Sequence, residues 1–159
     1  MLCHIMEGKN QAYQFFEIGL GLLHTEHYRD AIDMLSIAIS LDAGFAEAYQ
    51  YRGLAHYSRG TYQEALDDYT TAISLDPLLD NIFYFRGMAH LQFKHYEDAI
   101  HDFTAAIELK DYFAEAYYQR SVCKGFLKDY RGAICDMRSA AQLGMRLAQK
   151  ILNDNKVAW

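Results

Sequence analysis

Proline occurs once, at Pro77, in a chain of 159 residues. Proline breaks helix interiors, so this scarcity permits almost continuous helix. Cysteine occurs three times, at Cys3, Cys123 and Cys135. That is too few, and too unevenly spaced, for a disulfide framework, and it points to a reducing compartment with cytoplasmic localisation as the expectation. Positive charge is in deficit: 15 Lys and Arg stand against 21 Asp and Glu, a formal net charge of -6 with the acids dispersed along the chain. No basic stripe exists to follow a phosphate backbone, which argues against nucleic acid as a partner. No apolar run approaches the roughly 20 residues that span a bilayer, so membrane insertion is not expected. Residues 1–6 are apolar but lack a positive leading segment, and they run into Glu7, Gly8, Lys9 and Asn10 with no small-residue cleavage site. They do not read as a secretory leader. A glycine-rich phosphate loop and a nucleophile motif are also missing, so neither catalysis nor a cofactor is expected.

What is present is a period. Gly19, Gly53, Gly87 and, in the same register, Ser121 stand thirty-four residues apart. Ala31, Ala65, Ala99 and Ala133 follow twelve residues beyond them, then Ala38, Ala72, Ala106 and Ala140, while Tyr28, Tyr62, Tyr96 and Tyr130 keep step. Self-similarity at this length marks an array of stacked supersecondary units. With 52% hydrophobic residues the chain has ample material for a continuous core.

The second unit shows what one repeat is. Tyr49, Gly53 and Tyr57 recur at helical spacing until Arg59, Gly60 and Thr61 interrupt them. A second helical pattern runs through Tyr62, Ala65, Leu66, Tyr69, Ala72, Ile73 and Leu75, and it ends at Asp76 and Pro77. The unit is thus predicted to be an antiparallel helical hairpin that must stack on its neighbours to bury both faces. The small residues Gly53, Ala65 and Ala72 let the helix axes approach at the lower end of the usual range of about 8 to 10 Å.

These positions resemble the tetratricopeptide repeat, a helix-turn-helix whose consensus is W-x2-L-G-x2-Y, then A-x3-F, A and P. The corresponding residues are Tyr49, Arg52, Gly53, His56, Ala65, Tyr69, Ala72 and Pro77 in one unit, and Phe83, Arg86, Gly87, His90, Ala99, Phe103 and Ala106 in the next. The outer units drift, with Phe15, Ile18 and Gly19 opening the first and Tyr117, Arg120 and Ser121 the fourth. The resemblance implies an all-α, right-handed superhelical solenoid of four hairpins at 12–45, 46–79, 80–113 and 114–147. An N-terminal extension at 1–11 precedes them, a capping helix at 145–154 follows Gly144, and 155–159 form a tail. It also implies a non-enzymatic scaffold or adaptor that binds a protein or peptide.

Seven histidines raise the question of a metal. His56 and His90 occupy the same place in successive units, and equivalent residues of stacked hairpins lie about 10 Å apart, too far to share an ion bound at about 2 Å. His24, His27 and His4 lack a convincing third ligand, and no metal is expected. Cys123 and Cys135 are not at finger spacing and read as buried or half-buried thiols. Asp68, Asp102 and Asp136 recur in register and read as solvated on an outer face, while Arg52, Arg86 and Arg120 are expected to bond to carboxylates or helix ends.

In tetratricopeptide arrays the first helix of each hairpin lines a concave surface. The resemblance therefore places a ligand groove at Tyr13, Phe16, Glu17 and Leu20, then Glu47, Gln50, Tyr51 and Leu54, then Asn81, Tyr84, Phe85 and Met88, then Glu115, Tyr118, Gln119 and Val122. Such a surface is aromatic with an acidic trace. It suits a peptide or helix with an apolar or aromatic face and a positive charge. Family members that hold the acidic tails of heat-shock chaperones use a clamp of lysine, asparagine and arginine on these helices. In one register this chain has Phe16, Leu20, Tyr51, Asn81 and Phe85 at those places, and in the other Gln50, Leu54, Phe85, Glu115 and Gln119, so the clamp is missing. The rings have two alternative uses: filling gaps between repeats, or joining copies of the chain into a homo-oligomer.

Overall fold

The computed structural model describes the backbone from residue 2 to residue 159 and the side chains from residue 8 onward. Cys3, His4 and the apolar start lie outside the described side chains. The helices are α1 (Leu2–His24), α2 (Tyr28–Leu41), α3 (Ala46–Arg59), α4 (Tyr62–Leu75), α5 (Ile82–Gln92), α6 (Tyr96–Leu109), α7 (Ala114–Phe126), α8 (Tyr130–Gln142) and α9 (Arg146–Asp154). No strand occurs among the described residues. The fold is the all-α helical repeat that the period predicts. It comprises two compact units, residues 1–85 with α1 to α4 and the start of α5, and residues 86–159 with the rest.

Every hairpin turns in the same way. Glu26, Gly60, Lys94 and Lys128, thirty-four residues apart, all hold positive φ, between 60° and 81°. In each turn the following residue donates its N–H back to the last helical turn: His27 to Leu22, Thr61 to His56, His95 to His90 and Asp129 to Lys124, at 2.9 to 3.1 Å. This is the Schellman closure, which satisfies carbonyls that a helix end would otherwise leave bare. Gly144, at φ 93°, closes α8 likewise, with Met145 N–H on the Ala140 carbonyl.

The first and second helices of a hairpin meet at the glycine register. A Cβ at Gly19 would sit 2.7 Å from Leu35, one at Gly53 2.8 Å from Tyr69, and one at Gly87 2.8 Å from Phe103, each a side chain with no solvent exposure. Glycine is required there because no side chain fits between the axes. The fourth hairpin carries Ser121 instead, and its opposite number is Met137, half-buried and unbranched. Methionine bends around the extra atoms, and the Ser121 hydroxyl donates to the Tyr118 carbonyl at 2.7 Å. Ala31, Ala65 and Ala99 are fully buried, whereas Ala133 is only half-buried and lines an open apolar pocket of about 400 Å³ with Ile134, Met137, Ile151 and Val157. Helix α9 covers the rest of α8, burying Ala140, Ala141, Ala148 and Leu152 together, and Arg138 Nε holds the tail through the Ala158 carbonyl at 2.7 Å.

Two sequence expectations are corrected by this packing. Asp68, Asp102 and Asp136 are not solvated: they are 5%, 1% and 3% exposed. Each receives a two-pronged guanidinium from the first helix of its own hairpin, sixteen residues earlier: Arg52 on Asp68 at 2.9 and 2.6 Å, Arg86 on Asp102 at 2.9 and 2.7 Å, and Arg120 on Asp136 at 2.8 and 2.8 Å. The burial is possible because a planar guanidinium matches both carboxylate oxygens at once. Cys135 is likewise exposed, while Cys123 is buried and its thiol is pushed up to about 11 by desolvation.

Candidate ligand groove

In residues 1–85 the first helices bring most of the predicted groove residues onto one face, but not all are available to a guest. Phe16 is 7% exposed, enclosed by Phe45 at 4.7 Å and by Tyr51, edge-on, at 5.6 Å. It belongs to the core with Leu35, Ala38 and Ala48 and supports the surface from beneath. Tyr13, 54% exposed, stacks on Phe45 at 6.4 Å, with Glu17 exposed nearby on the same helix. Gln50 is also buried, and its amide donates to the Asp80 carbonyl at 2.8 Å, tying the loop before α5 to α3.

Tyr51 and Leu54 are the centre of what remains open. They lie three residues apart on one face of α3, half-buried, and both line two adjoining pockets of about 250 Å³ each. The first pocket is completed by Glu47, Gln50, Leu79, Asp80, Asn81 and Phe85. The second is completed by Leu20, Leu23, His24, Tyr28 and Ser58. Phe85 is held against Tyr69 at 6.1 Å and meets Tyr84 edge-on at 6.0 Å, so its ring is fixed before any guest arrives. The carboxylates of Glu47 and Asp80 are exposed at the rim.

Leu23, His24, Tyr28, Ser58, Leu79 and Asp80 were not predicted as groove residues: apart from Tyr28, which the period marks only as a repeat position, they carry no period, and all sit at helix ends or in the connection before α5. Their one signal is position: all but Tyr28 lie within about a turn of a residue in the predicted stripe. In residues 86–159, Met88, Gln119 and Val122 are half-buried and Glu115 is exposed. Tyr118 packs on the α8–α9 core with Tyr117 and Met145, which favours the gap-filling role for that ring.

The histidines differ by repeat. His56 Nδ1 donates to the Thr61 hydroxyl at 2.9 Å, and that hydroxyl in turn donates to the His56 carbonyl at 3.1 Å. Burial lowers the His56 pKa. His90, its counterpart in the next repeat, has His95 where Thr61 would be. No helix among the described residues is long and apolar enough to cross a membrane.

Residues 46–77 and 81–112 each match the tetratricopeptide repeat family. No curated protein matches the sequence. Among solved structures, MamA superposes with a TM-score of 0.82 at 23% identity, covering 88% of this chain and 82% of that one. The Arabidopsis OM64 tetratricopeptide domain gives 0.73 at 22%, covering 74% and 98%. The first such domain of Spaghetti (RPAP3), solved bound to the HSP90 peptide SRMEEVD, gives 0.74 at 21%, covering 76% and 95%. At these identities the likeness is one of fold.

Proposed function

Since the chain belongs to the tetratricopeptide repeat family, we propose that it is a non-enzymatic interaction module whose guest is a peptide or helix with an apolar or aromatic face and a basic residue. The supporting observation is the pair of adjoining pockets that Tyr51 and Leu54 share. A side chain from the guest entering each pocket would bury apolar area against rings that packing already holds in place. Preorganised anchors of this kind bind without a large ordering cost. Glu47 and Asp80 at the rim favour a cation on the guest and disfavour an acidic one.

The comparison with RPAP3 sharpens the chemistry. Its peptide, SRMEEVD, carries three acids near its end, whereas the clamp places here hold Phe16, Leu20, Tyr51, Asn81 and Phe85, none of them cationic. Fluorescence anisotropy with SRMEEVD and with an equally long peptide bearing Phe, Leu and Lys separates the two chemistries. The basic apolar peptide is expected to bind more tightly, and Tyr51→Ala to weaken it by more than about 1 kcal/mol, a fivefold change or greater. Preference for the acidic peptide, or indifference to Tyr51→Ala, would overturn this reading. Light scattering on the same samples tests the alternative. A dimer that dissociates in the Tyr51→Ala, Phe85→Ala double variant would make the occupant a second copy of the chain.

A further inference from the structure

The turn between α5 and α6 brings three metal-ligating side chains to one place. His90 near the end of α5, His95 at the start of α6 and Asp98 in its first turn each offer one ligand atom, and the three atoms lie within 4.8 Å of one another. His95 and Asp98 are exposed, and His90 is half-buried. From this geometry we infer a binding site for a divalent transition-metal ion of the zinc, nickel or copper class, held by two imidazoles and a carboxylate. The site is distinct from the groove and does not depend on what occupies it.

The argument starts from an unpaired atom. His90 Nδ1 is buried and has no hydrogen-bond partner among the described residues. In the preceding repeat the equivalent nitrogen of His56 is satisfied by Thr61. At the place of Thr61 this repeat carries His95, and at the place of Glu64 it carries Asp98. The substitution that removed the hydroxyl thus supplied a second imidazole. Its ring stands 6.0 Å from His90, centroid to centroid, tilted rather than stacked. Phe93 also stacks on His95 at 5.6 Å, which limits the directions that imidazole can take. Although His95 is the first residue before α6, its side chain makes no capping bond to the helix.

The distances suit an ion. Ligands about 2.1 Å from a tetrahedral centre stand about 3.4 Å apart, so closing on a metal requires roughly 1 Å of movement. That movement falls on His95 and Asp98, whose side chains are exposed where His90 is half-buried. On its far side His90 Nε2 lies 3.8 Å from an Asp102 oxygen. That separation is too long for a hydrogen bond, and both oxygens already accept from Arg86, so the carboxylate acts on the imidazole only through its charge. Two nitrogens and one oxygen favour borderline metals over calcium or magnesium, and three protein ligands leave a coordination position for water or a group from another molecule. The spacing of the three ligands, five and then three residues, is local to one turn, which is why comparing His56 with His90 across repeats misses it.

Calorimetric titration of the full chain with zinc chloride, and visible spectroscopy with cobalt chloride, test the site. The chain should bind one ion, and cobalt should show the intense bands of a four- or five-coordinate centre. Asp98→Asn should weaken binding at least as much as loss of an outer-shell partner does, about 10- to 100-fold. His95→Thr recreates the arrangement of the preceding repeat, so it should keep the helical circular dichroism signal while losing the metal. No saturable binding to the native chain, or binding unchanged in both His95→Thr and Asp98→Asn, would overturn the inference.

Discussion

A methyl group added at Gly53 would lie 2.8 Å from a Tyr69 ring carbon, whereas one added at Gly21, also helical, would meet nothing within 4 Å. The two substitutions should therefore move stability in opposite directions. Gly53→Ala is expected to lose about 1 to 2 kcal/mol, because overpacking against a ring with no room to retreat outweighs the helical gain. Gly21→Ala should gain up to about 1 kcal/mol. Urea denaturation of the two variants measures both. The ring opposite Gly53 offers a third case. The Tyr69 hydroxyl is buried with no hydrogen-bond partner among the described residues, and burial raises its pKa. The equivalent residue of the next repeat is Phe103. Tyr69→Phe removes a desolvated polar atom that makes no bond, so the melting temperature should rise with a gain of about 1 kcal/mol.

Each element follows from a few residues, and those residues were unequally visible beforehand. The helix pairs, their glycine contacts and the turn at Gly60 were legible because they depend on size and spacing, which the period displays directly. The buried carboxylates were not. Asp68, Asp102 and Asp136 look like surface residues until each is read with the arginine sixteen positions earlier, and an expectation of solvation follows from treating them singly. The cap at the C-terminal end yields its own test. Helix α9 buries Ala148 and Leu152 against Ala140 and Ala141, and Gln149 Nε2 donates to the Ala141 carbonyl at 2.9 Å. A chain ending at Gly144 should lose about 2 kcal/mol or more from the leucine alone, with a lower urea midpoint. An unchanged midpoint, with helical signal reduced only by the residues removed, would make α9 a passenger rather than a cap.

Over the whole molecule the groove was half legible. Its helices and several of its aromatic residues were predicted, but Phe16 and Gln50 proved to be committed inside, and the pockets also draw on residues outside the predicted stripe, at the ends of α1, α2 and α3 and in the connection at Leu79 and Asp80. Charge acts at this scale as well. With a net charge of -6 and Glu47 and Asp80 at the rim, a basic apolar peptide should be attracted over a distance set by the salt. Raising ionic strength from about 0.01 to about 0.15 M shortens that distance from about 30 to about 8 Å. Anisotropy titrations across this range are expected to show weaker binding as salt rises, and a shallower dependence in Glu47→Gln. Binding that ignores salt would leave the apolar contacts as the sole source of affinity.

The four turns carry one more consequence. Only Gly60 is free of a side-chain penalty in the left-handed region, while Glu26, Lys94 and Lys128 adopt it at a cost of about 1 kcal/mol each. These residues are exposed and remote from the glycine–aromatic contacts. The array therefore has a way to adjust its robustness repeat by repeat without disturbing its packing: asparagine at any of the three eases the backbone. The effects should add nearly independently, since the sites share no partner.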